Sequence, residues 1–176
     1  WVALLGHLNW QDDAMVAWLA TQTGHTSPTK VRDCLNRLVQ TGSLIAMGSQ
    51  EQVVEVKPDV LRDRLRAQLL TAKTPGSKLA PSDEAKKVIG DLTKATLGGE
   101  LSGVGRVILE SLARTEWLLR EADTPVPLMA GFYKGIRGGL STCSAFPLKQ
   151  MLDVLASIAA YHPAETVRLL TEIRNL

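Results

Sequence analysis

A glycine-rich segment, GGELSGVGR at 98–106, comes nearest in this sequence to a phosphate-binding loop. Such a loop needs glycines whose amides point at the phosphates, followed by Lys and by Ser or Thr at the start of a helix. The glycine spacing fits, but Val104 and Gly105 stand at the Lys and Ser/Thr positions, and no strand precedes them. The segment is therefore expected to connect two helices. A second glycine cluster at 135–147 lacks the same elements and is expected to do likewise.

The histidines do not have the spacing of metal ligands. They are His7, His25 and His162. None has a His, Cys or carboxylate partner in a pattern such as HxxxH or CxxC. His162 precedes Pro163 and is expected in the turn between the last two helices. The sequence predicts no metal site and no cofactor.

Nucleophilic catalysis has no local signature either. No GxSxG and no recognised cysteine context is present. Cys34 and Cys143 have apolar neighbours and are expected to be buried free thiols. The carboxylates are expected to lie solvated on helix faces. The sequence thus predicts no catalytic residue, and the chain is expected not to be an enzyme.

The N-terminal part has the order helix, turn, helix, hairpin. Residues 11–22 show helical spacing, and a second helix is predicted from the N-cap Ser27 to the stop at Gly42. The segments SLIAMG and VVEVK, joined by a Gly-Ser turn, predict a hairpin. This order is typical of a winged helix-turn-helix. Pro58 then opens another helix, DVLRDRLRAQLL.

The C-terminal part is predicted to be helical. Residues 72–82 are rich in Pro, Gly, Ser and Lys and predict a linker. Helices are predicted near 83–97, 104–121, 127–138, 147–161 and 163–175. The similar segments ILESLAR at 108–114 and MLDVLAS at 151–157 have a separation within the period of about 40–47 residues of HEAT and armadillo repeats.

The expected fold class is therefore mainly α, with two domains. A winged helix-turn-helix with a short β-hairpin occupies 1–71, and an α-helical, HEAT/armadillo-like repeat domain occupies 83–176 after the linker at 72–82.

The second helix of a winged domain often reads DNA in the major groove. Its exposed positions here include residue types that contact phosphates and bases, namely Lys30, Arg32, Asn36 and Arg37. Residues 1–71, however, hold seven basic and seven acidic groups, and the wing segment MGSQEQVVEVK has two Glu against one Lys. This balance favours a packing module, and DNA binding stays open as the alternative.

Residues 1–70 resemble the winged-helix segment that follows the ATPase core of large bacterial STAND-type NTPases. The segment VVEVKPDVLRDRL carries most of the likeness through Pro58, Asp59, Leu61, Arg62 and Asp63. The leading LLGHL is similar to the end of the preceding helical subdomain of that family. In such proteins the winged helix holds the nucleotide-binding domain inactive, and helical repeats act as the sensor. The chain has no Met-His-Asp, Walker A or Walker B motif, so no nucleotide ligand is implied for it.

The resemblance implies a non-catalytic regulatory and sensor module of a larger NTPase. The expected partners are its own upstream NTPase domain and a protein or ligand on the repeats, and a homo-oligomer stays open. The start at Trp1, inside an apolar run, is expected of a piece of a longer protein. With free cysteines, and without an apolar membrane span or a signal peptide, the chain is expected to be cytoplasmic. The alternative is a DNA-binding transcriptional regulator with a C-terminal dimerisation or effector domain.

Overall fold

A computed structural model describes residues 1–25, 27–47, 53–57, 59–76 and 78–175 of the chain. The protein is mainly helical, with a few short antiparallel strands. It divides into two compact units, the N-terminal unit Trp1–Arg66 and the C-terminal unit Ala67–Leu176. Within the ranges described, no helix is long and apolar enough to cross a membrane.

The N-terminal unit combines four helices and three strands among its described residues. They are α1 (Val2–Leu5), β1 (His7–Asn9), α2 (Asp13–Thr23), α3 (Pro28–Gln40), β2 (Ile45–Met47), β3 (Val53–Glu55) and α4 (Asp59–Leu70), which continues into the C-terminal unit. The strands form an antiparallel sheet in the order β1-β3-β2, in which Leu8 and Ala46 both pair with Val54. The two segments predicted to pair do so, whereas the predicted Gly-Ser turn and Pro58 lie outside the described residues.

Side-chain caps explain where the two central helices of this unit begin. The Asp12 carboxylate accepts hydrogen bonds from the amides of Ala14 and Met15 at 2.9 and 3.1 Å. Ser27 Oγ accepts one from the Thr29 amide at 3.3 Å. These amides have no partner within the first turn of a helix, so the caps stabilise α2 and α3. Buried aliphatic side chains form the core, among them Leu4, Leu8, Val16, Leu19, Leu35 and Val54.

Ion pairs hold the connection from β3 into α4. Glu55 is buried and contacts the Lys57 ammonium at 2.9 Å and the Arg62 guanidinium at 3.8 Å. Arg62 also pairs with Asp59 at 3.0 Å. The charged residues of VVEVKPDVLRDRL thus fix the start of α4 against β3. The prediction that carboxylates are solvated is wrong for Glu55, because its buried side chain pairs with the cations of Lys57 and Arg62.

The C-terminal unit contains a hairpin and five further α-helices among its described residues. They are β4 (Thr71–Lys73), β5 (Leu79–Pro81), α5 (Asp83–Gly98), α6 (Gly103–Glu121), α7 (Ala130–Gly139), α8 (Ala145–Ile158) and α9 (Pro163–Arg174). The β4–β5 hairpin lies where the sequence analysis expects a linker. Pro75 and Gly76 provide its turn, because Gly76 adopts a φ of 96° that other residues avoid.

The helices of this unit pack in an alternating pattern. Helix α5 packs against α7, α6 against α8, and α7 against α9, while α8 also contacts α5 and α9. Their core consists of large buried side chains, including Ile108, Leu109, Leu112, Phe132, Ile136, Val154 and Leu155.

Three glycines of α7 allow its close approach to α5. This glycine stripe is Gly131, Gly135 and Gly139, which face Ile89, Thr93 and Leu97 respectively. A Cβ at Gly135 would lie 2.5 Å from the Thr93 methyl, and one at Gly139 would lie 2.6 Å from Leu97. The expectation that 135–147 only links two helices is therefore wrong for 135–139. These glycines serve close packing inside a helix.

Candidate functional site

The four candidate DNA contacts of α3 have unequal exposure. They are Lys30, Arg32, Asn36 and Arg37, of which all but Arg32 are exposed. The Arg32 guanidinium donates to the Trp10 carbonyl at 2.9 Å and to the Asp13 carboxylate at 2.6 Å. Both bonds join α3 to the start of α2. Arg32 thus forms its hydrogen bonds within its own unit, whereas the other three side chains are exposed.

An open apolar groove of about 170 Å³ lies beside α3. Leu19 of α2 and Val31, Leu35 and Leu38 of α3 line it, together with Cys34. Cys34 is exposed, so the prediction that it is buried is wrong: its face of α3 opens onto the groove.

The second cysteine differs from the first. Cys143 is partly buried, and its thiol lies 4.0 Å from the Leu97 carbonyl. The expected full burial is therefore not reached there either. Both cysteines are free thiols, as predicted.

The C-terminal unit contains a polar cavity of about 320 Å³, called here the α6–α7–α9 cavity. Its polar lining consists of Glu116 and Arg120 from α6, Tyr133 and Arg137 from α7, His162 just before α9, and Glu165 in α9. Pro127 and Ala130 form an apolar wall. Because the lining comes from three helices distant in sequence, no local motif indicates it.

Glu116 connects α6 to the start of α7 at this cavity. Its side chain is buried, and Oε2 accepts a hydrogen bond of 2.6 Å from the amide of Met129, just before α7. Its Oε1 accepts one of 3.2 Å from the Arg120 guanidinium. The prediction that carboxylates are solvated is wrong here too, because an amide at the start of a helix needs a partner and attracts a negative charge.

His162 lies between the last two helices, as predicted, but it is buried. Its Nδ1 is 3.9 Å from Glu116 Oε1, and its Nε2 has no hydrogen-bond partner within the described ranges. Burial lowers the pKa of His162 below its usual value, and the charge of Glu116 opposes this effect only in part. The imidazole is therefore neutral near pH 7.

Two hydroxyl groups next to His162 also lack a hydrogen-bond partner among the described residues. The Tyr133 ring centroid is 5.8 Å from that of His162, and burial raises the pKa of Tyr133 to about 12. The nearby Thr166 side chain lowers the pKa of Tyr133 in part. The hydroxyls of Tyr133 and Thr166 nevertheless do not meet the geometry of a hydrogen bond. Neither oxygen has a partner among the residues that the structure describes. Each such group costs about 1–3 kcal/mol when it stays unpaired.

Arg137 places a permanent cation at the cavity. It donates through Nη2 to Glu165 and through Nε to Glu172 at 3.2 Å. The hydrogen bond with Glu165 raises the pKa of Arg137 further. Glu165 also lies 3.7 Å from Arg168. The walls thus carry balanced charges together with unpaired polar atoms, an arrangement suited to binding.

No protein-family model matches this chain, and no curated protein or solved structure is significantly similar to it.

Proposed function

We propose that this chain is a non-catalytic regulatory and sensor module of a larger STAND-type NTPase. In this proposal the N-terminal unit is a winged helix that packs on the NTPase core, and the C-terminal unit is a helical repeat that recognises a ligand. The observation that carries the choice of a protein partner over DNA is the internal pairing of basic side chains in the N-terminal unit.

The element order supports a winged helix. Helix α1, strand β1, helices α2 and α3, and strands β2 and β3 follow one another, and β3 lies between β1 and β2 in the sheet. Two helices joined by a short turn and followed by a hairpin are the arrangement that this domain type uses. The strand β1 adds a third strand to this hairpin.

The ion pairs of this unit disfavour DNA, because affinity for DNA depends on cations that are free to neutralise phosphates. Among the described residues, four of the seven basic side chains of this unit pair internally. The pairs are Arg32–Asp13, Lys57–Glu55, Arg62–Asp59 and Arg66–Asp63. On α3, the exposed Lys30 and Arg37 lie on either side of the exposed Asp33 in sequence. The described surface of α3 is thus weakly cationic.

Exposed apolar surface favours a protein partner. In addition to the groove along α3, exposed apolar side chains lie on helix α4, where Val60 is 78%, Leu61 41% and Leu65 38% exposed. Contiguous exposed apolar residues commonly mark protein–protein contacts. An NTPase domain that covers this surface would remove it from water.

The packing of the C-terminal unit supports a helical repeat. In repeat proteins each unit packs on the equivalent helices of the next. The contacts of α5 with α7 and of α6 with α8 have this form, and the similar segments at 108–114 and 151–157 lie in α6 and α8.

Fluorescence anisotropy with labelled duplex DNA tests the choice between the partners. At about 50 mM salt, where phosphate contacts are strong, we expect no salt-dependent binding by the full chain, and no difference for Lys30→Ala or Arg37→Ala. Asn36→Ala serves as a matched variant without a charge. Binding that weakens with salt and with either charge removal would contradict the proposal.

The reading frame and the Cys34 thiol test the NTPase partner. We expect the frame that encodes this chain to specify Walker A and Walker B motifs before Trp1. In a Cys143→Ser background, the encoded NTPase domain should slow alkylation of Cys34 at the apolar groove. A frame without these motifs, or unchanged alkylation, would refute this part of the proposal.

A further inference from the structure

We propose that the α6–α7–α9 cavity binds a small organic carboxylate. The carboxylate group is held by Arg137, Tyr133 and His162, and the apolar part of the ligand lies against Pro127 and Ala130. This carboxylate would be the ligand that the C-terminal unit recognises, so the proposal rests on the proposed function.

The hydrogen-bonding groups left in the cavity can all act as donors, His162 Nε2 once it carries a proton. Both oxygens of Glu116 already accept hydrogen bonds, and both oxygens of Glu165 face arginines. Within the described ranges Arg137 hydrogen-bonds through Nε and Nη2, which leaves Nη1 for a ligand. The Tyr133 hydroxyl and His162 Nε2 have no partner in the described part of the chain. A ligand that supplies acceptors satisfies these groups.

The shape and charge of the cavity favour an organic acid over an inorganic ion. Arg137 Nη1 can donate to an oxygen of either a carboxylate or a phosphate, so the apolar wall decides between them. The volume of about 320 Å³ is at the lower end of small-molecule pockets, which span about 300–1,000 Å³. Pro127 and Ala130 would face water beside a bare phosphate but pack against a hydrocarbon group. The acidic and basic side chains of the lining balance, and a proton on His162 would add one positive charge, so one added negative charge suits the site better than two.

Binding is expected to be linked to a proton on His162. The charged and titratable groups around it are Glu116 and Arg120 from α6, Tyr133 and Arg137 from α7, and Glu165 from α9. In the free protein burial keeps the imidazole neutral, since it lowers the pKa. An anion beside Nε2 favours the charged ring, so the ligand takes up a proton as it binds. Affinity should therefore increase as the pH falls from about 7.5 to about 5.5.

Histidine side-chain NMR spectra of the ¹⁵N-labelled full chain test the proposal. Acetate, benzoate and succinate are the probes, with benzamide as the neutral analogue of benzoate and inorganic phosphate as the anion without an apolar part. We expect at least one carboxylate to shift the His162 resonances, and to do so at lower concentration at the lower pH. The exposed His7 and His25 serve as internal references that should not respond.

Two substitutions connect the signal to the cavity. Arg137→Gln and Tyr133→Phe should each weaken binding by about tenfold or more, the effect of losing a hydrogen bond that involves a charge. Arg168→Gln is the matched control, because Arg168 pairs with the same Glu165 but does not line the cavity. Tyr133→Phe removes one oxygen only, so it remains informative if Arg137→Gln fails to fold.

Three outcomes would overturn the proposal: benzamide binding as well as benzoate, phosphate binding as well as the best carboxylate, or no carboxylate response at about 50 mM, a concentration that would reveal even millimolar affinity. None of these results bears on the alkylation of Cys34, which tests the proposed function separately.

Discussion

At the residue scale, the C-terminal unit retains polar atoms where apolar ones would stabilise it more. Glu116 is satisfied by the Met129 amide and by Arg120. Tyr133 and His162, in contrast, are buried with unpaired polar atoms among the described residues. Replacement of an unpaired buried group by an apolar one is commonly neutral or stabilising. Their presence is therefore better explained by a bound ligand than by folding.

The pH dependence of stability is expected to report the burial of His162. Its pKa is lowered below 6.5 in the folded state, so below about pH 6.5 the unfolded chain binds a proton that the folded chain does not. Unfolding free energy should then decrease as the pH falls, by at most about 1.4 kcal/mol per pH unit, and this contribution is constant above that range. Urea unfolding at pH values between about 5 and 8, where His is the only side chain that titrates at its usual pKa, measures it.

Two substitutions separate the contribution of His162 to the unfolding free energy from other effects of low pH. His162→Gln should flatten the dependence between these pH values, whereas His25→Gln, at an exposed position, should leave it unchanged. An equal slope in wild type and in His162→Gln would show that His162 titrates alike in both states.

At the element scale, hydrophobic periodicity and capping residues predicted most helices. Elements that depend on pairing with another segment of the chain were not predicted. Ser27 begins α3 as the capping rule requires. Strand β1 has only three residues, too few for an alternating pattern to be read. The hairpin around Pro75 and Gly76 carries the same residue types as a linker. Whether a chain pairs after such a turn depends on the strand that it meets.

The glycine stripe of α7 gives a direct test of close helix packing. Gly135→Ala should lower the free energy of unfolding by about 1–3 kcal/mol, because the new methyl would overlap Thr93 of α5. Gly138→Ala, in the same helix, should raise it by about 0.5–1 kcal/mol through helix propensity, because the new methyl would meet no described residue within 4 Å beyond its own helix backbone and chain neighbours. Thermal or urea unfolding checks both. The same sign for the two substitutions would contradict the packing role of Gly135.

At the scale of the whole molecule, the sequence predicted a two-part helical chain but not its cavity. Amphipathic periodicity is local, so the C-terminal helices could be predicted from it. The α6–α7–α9 cavity depends on Glu116, Tyr133 and His162 meeting across three helices, and no spacing rule connects them. The net charge of +2 was equally uninformative, because it does not show that residues such as Arg32 are paired internally.

The C-terminal unit should fold without the residues before it. Its core, including Phe132, Ile136 and Val154, is built from its own helices, and Ala67–Leu176 has the size of an ordinary domain. A fragment of these residues should unfold cooperatively and show near-ultraviolet dichroism from Trp117, whose ring centroid lies 6.4 Å from that of Tyr161. Its His162 should titrate as in the full chain. A fragment without cooperative unfolding, with His162 at its ordinary pKa, would mean that residues before Ala67 are needed to form the cavity.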